Sequence, residues 1–298
     1  MNNFERKPKD MLTIEVTSMC NVKCVWCFMQ TFNKIEKHHM SLNTFKNLIE
    51  TNKDYIKENF VIAPFFRGEP LLNPDFWNMC KILKENEIDN VGVHSNFSMD
   101  IDIQALVETN IPIVVNIGGI TKGVHEKVMI NSNFEKVVSN LKKVYKANKM
   151  VHVKMNCTKY NVHQNKDLID FVVSLGGTPN CVDEYTTTCP VPSHCTKEEL
   201  EYYFNNVVSE DVLPFLRFNY SGSGGEMKTK PLIPRCNHLC DAIYYNGNYT
   251  ICCQDQYGDL VVGNVFKSSI EKIRNSSEYK EAVRCGKNRM HKICGECC

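Results

Sequence analysis

Apolar and polar positions alternate along the first two thirds of the chain in a rhythm that predicts strand, loop and helix in repeated succession. Leu12-Thr13-Ile14-Glu15-Val16 has the period of two of a half-buried strand, expected over residues 11–17. Leu42, Phe45, Leu48 and Ile49 recur at helical spacing behind Ser41, a capping residue, which predicts a helix near 42–57. The apolar run 60–66 reads as a buried strand, and Asn73-Pro74 predicts a helix to about residue 86 with proline in its first position. Strands near 90–96, 111–118 and 150–157 and helices near 102–109, 133–148 and 164–175 continue the alternation. Gly118, Gly119 and Gly123 fall in a loop. A sixth strand is expected at 180–185, and Thr196-Lys197-Glu198-Glu199 forms a capping box that opens a helix to about residue 209.

Strands alternating with helices imply parallel strands joined by right-handed crossovers. Six such units occupy about 200 residues, whereas a closed eight-unit barrel typically needs ~250. The expected fold class is therefore α/β, a partial (β/α)6 TIM-like barrel, with chemistry at the C-terminal ends of its strands. The rhythm breaks at 214–235, where Tyr220-Ser221-Gly222-Ser223-Gly224-Gly225 is followed by Pro231 and Pro234. Beyond it, Ala242–Tyr245 and Tyr249–Cys252 flank Asn246-Gly247, a hairpin signal, and a helix near 269–284 follows Ser268 or Ser269. The expected organisation is a barrel domain at 1–215, a linker at 216–235 and a small hairpin-plus-helix domain at 236–298.

Composition narrows the function classes. The chain has 298 residues, 43% hydrophobic and 23% charged, with a net charge of +1. That balance gives no overall field to attract nucleic acid or an anionic membrane. No apolar run approaches a membrane span, and the polar N-terminus lacks a signal-peptide segment, so a cytoplasmic location is expected. There, 16 cysteines read as metal ligands before disulfides. Cys80, Cys157 and Cys181 sit in apolar patterns and are expected in the core.

The cysteines that core packing does not explain cluster at the two ends of the chain. Cys20, Cys24 and Cys27, at C-x3-C-x2-C spacing after the first strand, are three thiols on one compact loop. Three is odd for disulfides and one short of a tetrahedral zinc site, though a distant ligand would complete one. It suits a [4Fe–4S] cube with three irons held by protein and one open, since soft thiolates select such clusters. The stretch resembles the motif of the radical SAM enzymes, and Phe28 directly after it matches that pattern. The resemblance implies that the open iron chelates S-adenosyl-L-methionine and that one electron releases a 5′-deoxyadenosyl radical, which abstracts a substrate hydrogen. It also implies cofactor contacts from Gly68 and Glu69, in Arg67-Gly68-Glu69-Pro70 after the second strand, where the family has Gly-Gly-Glu. Ser95 ends strand three, where the family places polar groups near the cofactor, and Asn116, near the end of strand four, carries over more loosely, because this chain departs there from the family's Ser-x-Asp-Gly pattern.

The C-terminal region resembles the SPASM/twitch extension of the same family over about residues 230–298. Cys236, Gly247, Cys252 and Cys294-x2-Cys297 carry that likeness, and the resemblance implies one auxiliary [4Fe–4S] cluster on Cys236, Cys252, Cys294 and Cys297. Cys240, Cys253 and Cys298 remain alternative ligands, and a zinc ribbon is the competing reading of the region. Asp255 and Asn264 match as turn formers. In the family such a cluster can accept the second electron from a substrate radical, which favours net two-electron oxidation of the substrate, as in the family's aminocyclitol dehydrogenases and sulfatase maturases; carbon–carbon or thioether bond formation and epimerisation are the alternatives. The implied partners are a flavodoxin- or ferredoxin-like electron donor and a small-molecule or peptide substrate. Only about ten residues precede the first strand, too few for a peptide-recognition domain, which favours a small polar metabolite. A non-catalytic zinc scaffold is the alternative of a different class.

Overall fold

The computed structural model describes residues 9–31, 35–182, 197–215, 219–221, 228–230, 240–252 and 255–287. In chain order the elements are β1 (Asp10–Ile14), β2 (Lys23–Cys24), α1 (Phe28–Thr31), α2 (Leu42–Asn59), β3 (Phe60–Ala63), α3 (Phe76–Glu85), β4 (Val93–Ser95), α4 (Ile103–Thr109) and β5 (Ile113–Ile117). They continue with α5 (Lys122–Val128), β6 (Met129–Ile130), α6 (Phe134–Lys146), β7 (His152–Met155), α7 (Leu168–Ser174), α8 (Lys197–Val207), β8 (Asn219–Ser221) and β9 (Lys228–Lys230). The last are β10 (Asp241–Ile243), β11 (Asn248–Thr250), β12 (Val261–Asn264), α9 (Ile270–Asn275) and α10 (Ser277–Lys287).

The strands form an open arc. β1 pairs in parallel with β3, a single parallel bridge from Ile62 to Val91 leads towards β4, and β4, β5 and β7 pair in parallel in that order. Helices pack on the outer face. Side chains alternate across each strand, so Val115 and Ile117 of β5 and Val153 and Met155 of β7 are buried under helices. The residues between them, Asn116 and Lys154, face the inside of the arc, half-buried. This is the expected partial barrel, with no closed barrel among the described strands.

The far edge of the arc comes from the C-terminal region. β10 lies parallel to β1, with Leu12 opposite Asp241 and Ile14 opposite Ile243, and β11 and β12 add antiparallel strands. The expected Asn246-Gly247 hairpin is the β10–β11 turn. Gly247 has φ +81°, and a Cβ there would meet the Phe266 ring at 2.6 Å, so only glycine fits. Within the predicted linker, β8 and β9 form a short antiparallel pair.

Several boundaries differ from the sequence reading. Asn73 does not start a helix. Its side chain donates to the Val16 and Met40 carbonyls at 2.7 and 2.9 Å and accepts from the Asp75 N–H, so α3 begins at Phe76 and Pro74 stays in the turn. The glycine loop after β5 contains α5 and β6. The sixth strand reduces, where described, to a 3-10 turn at Pro179–Cys181 and one parallel bridge from Val182 to Val153; residues 183–185 lie outside the described residues. The last helix divides at Ser276, whose hydroxyl donates to the Ile273 carbonyl and accepts from the Tyr279 N–H. Cys80, Cys157 and Cys181 are buried as expected. No helix among the described residues is long and apolar enough to cross a membrane.

The C-terminal elements are also tied to the barrel through Asn52 on α2, buried, whose side chain donates to the Leu48 carbonyl at 2.9 Å and accepts from the Ile270 N–H at 2.7 Å. Asn52→Ala leaves that N–H buried without its acceptor and is expected to lower the unfolding free energy by about 1–3 kcal/mol. Anaerobic urea unfolding of the two proteins checks it.

Candidate functional site

The chain leaves β1 through Thr17-Ser18-Met19 into the cysteine loop. The Thr17 hydroxyl donates to the His38 carbonyl at 3.0 Å and that of Ser18 to the Glu36 carbonyl at 2.6 Å, which pins this exit to residues 36–38. Asn21, inside the C-x3-C spacing, donates to the Ser98 carbonyl at 2.9 Å and accepts from the Asn96 amide at 2.9 Å. The turn after β4 thereby holds the loop from one side. From the other, Cys24 stands opposite Met129 in the β2–β6 pair, and the Val25 N–H donates to the Val128 carbonyl at 3.0 Å. Val22, Val25, Trp26, Val128, Met129 and Tyr203 form a second apolar cluster beneath it. The loop is therefore braced by backbone pairing and packing on both sides.

Cys20, Cys24 and Cys27 are half-buried and line one cavity of about 350 Å³ with Gly68, Glu69, Ser95 and Asn116. Phe28 opens α1; its side chain lies outside the described residues. Gly68 packs against the β1 exit so closely that a Cβ would lie 2.4 Å from the Thr17 carbonyl oxygen and 2.6 Å from that of Met19. The next N–H, of Glu69, donates to the Met19 carbonyl at 2.7 Å. The Glu69 carboxylate turns inward and accepts from the Leu71 N–H at 3.1 Å and the Asn96 N–H at 2.7 Å, and the Ser95 hydroxyl also bonds to it. Glu69 thus joins the ends of β3 and β4.

Burial dominates the electrostatics. It pushes the Glu69 carboxyl up to about 7, against the pull of the three donors. It also pushes the Cys20 thiol up to about 12, helped by the nearby Glu69 charge. Burial lowers the Lys37 ammonium, while Cys20 and Cys27 beside it act in the opposite direction. A thiol so disfavoured as a free thiolate needs a cationic centre to ionise it. Among the described residues no three His, Cys, Asp or Glu groups converge as ligands of one ion. A cubane cluster takes each thiolate on a separate iron, so three thiols lining one cavity that Gly68 and Glu69 also line fit it.

Of the C-terminal cysteines singled out from the sequence, Cys236, Cys294 and Cys297 lie outside the described residues, as do the alternatives Cys253 and Cys298. Cys252 is half-buried at the end of β11, and Cys240 is buried before β10. Asp255 is the expected turn former: buried, it accepts from the N–H groups of Gly258, Asp259 and Leu260 and from the Thr250 hydroxyl. Asn264 likewise donates to the Asn246 carbonyl. Sequence reasoning passed over the residues that brace the site. Gln30, one helical turn past Cys27, donates to the Arg67 carbonyl at 2.8 Å. Glu15 and Arg67 form a buried ion pair. His94, Lys154 and Asn156 line the cavity. The period-two alternation of β5 and β7 carried the signal for the inward row.

Parallel strand ends that gather three thiols and a buried carboxylate round one cavity define an α/β protein with a thiol-lined cofactor site. The family model of the radical SAM superfamily matches residues 14–172, and one described as an iron–sulfur cluster-binding domain, SPASM, matches residues 235–298. The first match covers more than half of the chain, which therefore belongs to the radical SAM superfamily. Together they imply a [4Fe–4S] cluster, S-adenosylmethionine and auxiliary iron–sulfur binding. The chain is 21% identical to a probable GTP 3',8-cyclase of Methanococcus maripaludis, over 55% of this chain and 55% of that one, so it spans about half the length of this curated relative. Its fold is similar to BtrN in complex with AdoMet and 2-DOIA, at TM-score 0.57 and 18% identity over 98% of this chain and 93% of that one. It is also similar to Streptococcus suis SuiB bound to the precursor peptide SuiA, at TM-score 0.63 and 15% identity over 97% and 72%.

Two expectations follow from this geometry. Gly68→Ala forces residues 67–69 away from 17–19 and is expected to weaken S-adenosylmethionine binding by about tenfold or more, read by anaerobic equilibrium binding. Glu69 gives a pH signature. Between pH 4.5 and about 7 the folded chain keeps a proton on Glu69 that the unfolded chain has released. The stability this contributes is complete below 4.5 and lost as pH rises through 7. Relative to Glu69→Gln, the wild-type protein is expected to lose up to about 3 kcal/mol across that window, measured by urea unfolding at a series of pH values.

Proposed function

We propose that the chain is a radical SAM oxidoreductase of dehydrogenase type acting on a small polar metabolite, sugar- or aminocyclitol-like. In this reading Cys20, Cys24 and Cys27 hold the first [4Fe–4S] cluster. Phe28, Gly68, Glu69, Ser95 and Asn116 surround S-adenosylmethionine. Cys236, Cys252, Cys294 and Cys297 hold one auxiliary cluster in a module over 236–298. When bound, these groups supply a 5′-deoxyadenosyl radical for hydrogen abstraction and an acceptor for the second electron. The observation that carries the reading is the shared cavity: the three thiols and Gly68–Glu69 line one space of about 350 Å³ together with the polar residues His94, Asn116 and Lys154. On that wall the Asn116 side-chain amide and His94 Nδ1, on adjacent strands, are hydrogen-bonded to each other at 3.4 Å. In this reading the chain's own residues hold and orient the reactants, with Glu69 buried beside the half-buried Cys20.

A flavodoxin- or ferredoxin-like donor in a reducing cytoplasm accompanies this reading. A peptide substrate is the second reading, favoured by the fold likeness to SuiB bound to a precursor peptide.

Anaerobic reconstitution tests the cofactor assignment: about eight irons per chain with matching sulfide are expected, falling to about four when Cys20, Cys24 and Cys27 are all replaced by Ala. Zinc without sulfide would sink the enzyme reading. Deuterium transfer from candidate metabolites into 5′-deoxyadenosine, with a product lighter by two hydrogens, tests the oxidation. An unchanged product mass points to epimerisation, and transfer only from peptides selects the second reading.

A further inference from the structure

Arg67 precedes Gly68 and Glu69, and its side chain reaches the C-terminal region. Its Nε and Nη2 donate to the two Glu15 oxygens, each at 2.6 Å, and its Nη1 donates to the Gln256 carbonyl at 3.0 Å. The guanidinium lies 4.5 Å from the centre of the Tyr244 ring. Glu15 is fully buried, Arg67 nearly so, and Glu15 also accepts from the Tyr245 N–H at 3.1 Å. Four segments therefore meet at one ion pair: the end of β1, the segment carrying Gly68 and Glu69, the β10–β11 turn, and the turn after Cys252. The last is short, since the Asp255 N–H donates back to the Cys252 carbonyl at 3.1 Å. The main chain of Arg67 faces the other way, its carbonyl accepting from Gln30 on the helix that follows Cys27.

One residue is thus bonded through its backbone to the cysteine loop and through its side chain to the segment beside Cys252. Arg67 and Gln256 also line both the thiol-lined cavity and a second one of about 250 Å³ beside Tyr244 and Tyr245. A buried ion pair is a poor device for stability alone, because apolar residues of equal volume hold as well without the desolvation cost. What a planar guanidinium adds is direction: a fork that fits one carboxylate and one carbonyl in a single geometry.

We infer that Arg67 is a positioning residue that fixes the spacing between the thiol-lined cavity and the segment that carries Cys252. The inference rests on the two-cluster reading given above and deepens it. Electron passage between two centres falls steeply with their separation, so a residue that sets this spacing governs whether they act together.

Relaxation of the electron spin on one cluster by its neighbour depends steeply on their separation and serves as the ruler. The test compares reconstituted wild-type holoenzyme with Arg67→Lys, which keeps Glu15 compensated but cannot span both acceptors, and with the double variant Glu15→Gln, Arg67→Gln, which removes both charges. Each is reduced with dithionite, with and without S-adenosylmethionine. Iron content, thermal midpoint and the microwave power that half-saturates the first cluster's resonance are read together. Iron content like that of the wild type, with a several-fold change in half-saturation power in both variants, is expected. A lowered midpoint with unchanged relaxation makes the pair merely structural and overturns the inference, as does collapse of both variants without iron. A wild-type chain that binds one cluster only overturns the two-cluster reading itself, and the inference with it.

Discussion

The site depends on a missing side chain. Gly68 lies against the carbonyls of Thr17 and Met19 at distances no Cβ tolerates. That contact brings the end of β3 onto the exit of β1, where the cysteine loop begins. The Glu69 N–H then reaches the Met19 carbonyl, and the Glu69 carboxylate swings inward to the Asn96 and Leu71 N–H groups. A methyl group at residue 68 would separate the strand ends and, with them, the thiols from the carboxylate. The order of construction is steric first, hydrogen-bonded second and electrostatic last, because the raised Glu69 and Cys20 values are consequences of the burial that close packing produces.

The second constraint is the edge of the sheet. An open parallel arc leaves β1 with an unpaired side, and unpaired strand edges are a liability. β10 fills that side in parallel register, which carries the Tyr244–Tyr245 turn to the mouth of the barrel and Cys252 one strand beyond. The C-terminal region is therefore built into the same sheet as the cysteine loop. Asn52 reinforces the join from the outer layer by capping α9 across 218 positions of sequence.

Much of this was legible in the sequence where a local pattern had a local cause. Ser41 and Ser269 cap their helices through their own side chains. The three-thiol loop, Gly68-Glu69 and Ser95 fall at strand ends as the alternation implied, and Asn246-Gly247 is a turn. The failures have a common physical form: the deciding partner lies far away in sequence. Asn73-Pro74 looks like a helix start, but Asn73 is held by the carbonyls of Val16 and Met40. β6 has two residues and no intrinsic strand signal; it exists because Lys23 and Cys24 pair with it. Arg67 looked like a modest departure in a backbone-binding motif. Its partners, Glu15 and Gln256, stand 52 and 189 positions away, and no window along the chain joins them.

The cavity itself has two unlike walls, and the difference follows from strand geometry. Sulfur and apolar groups form one wall, where Cys20, Cys24, Cys27, Val22 and Trp26 sit on a loop packed over the second apolar cluster. The other is the inward face of β4, β5 and β7. Parallel pairing sets Asn116 directly beside Lys154, and the pleat directs both to the face opposite the buried Val115 and Val153. Both side chains line the cavity. Radical chemistry at the sulfur wall is shared across a superfamily and carries little selectivity of its own. Orientation of the bound molecule does, because reacting groups must be held in near-attack geometry. The polar row lies on paired strands and lines the same space of about 350 Å³ as the thiols. The two walls therefore offer a bound molecule different things: thiols on a loop on one side, and on the other polar side chains whose placement is set by parallel strand pairing.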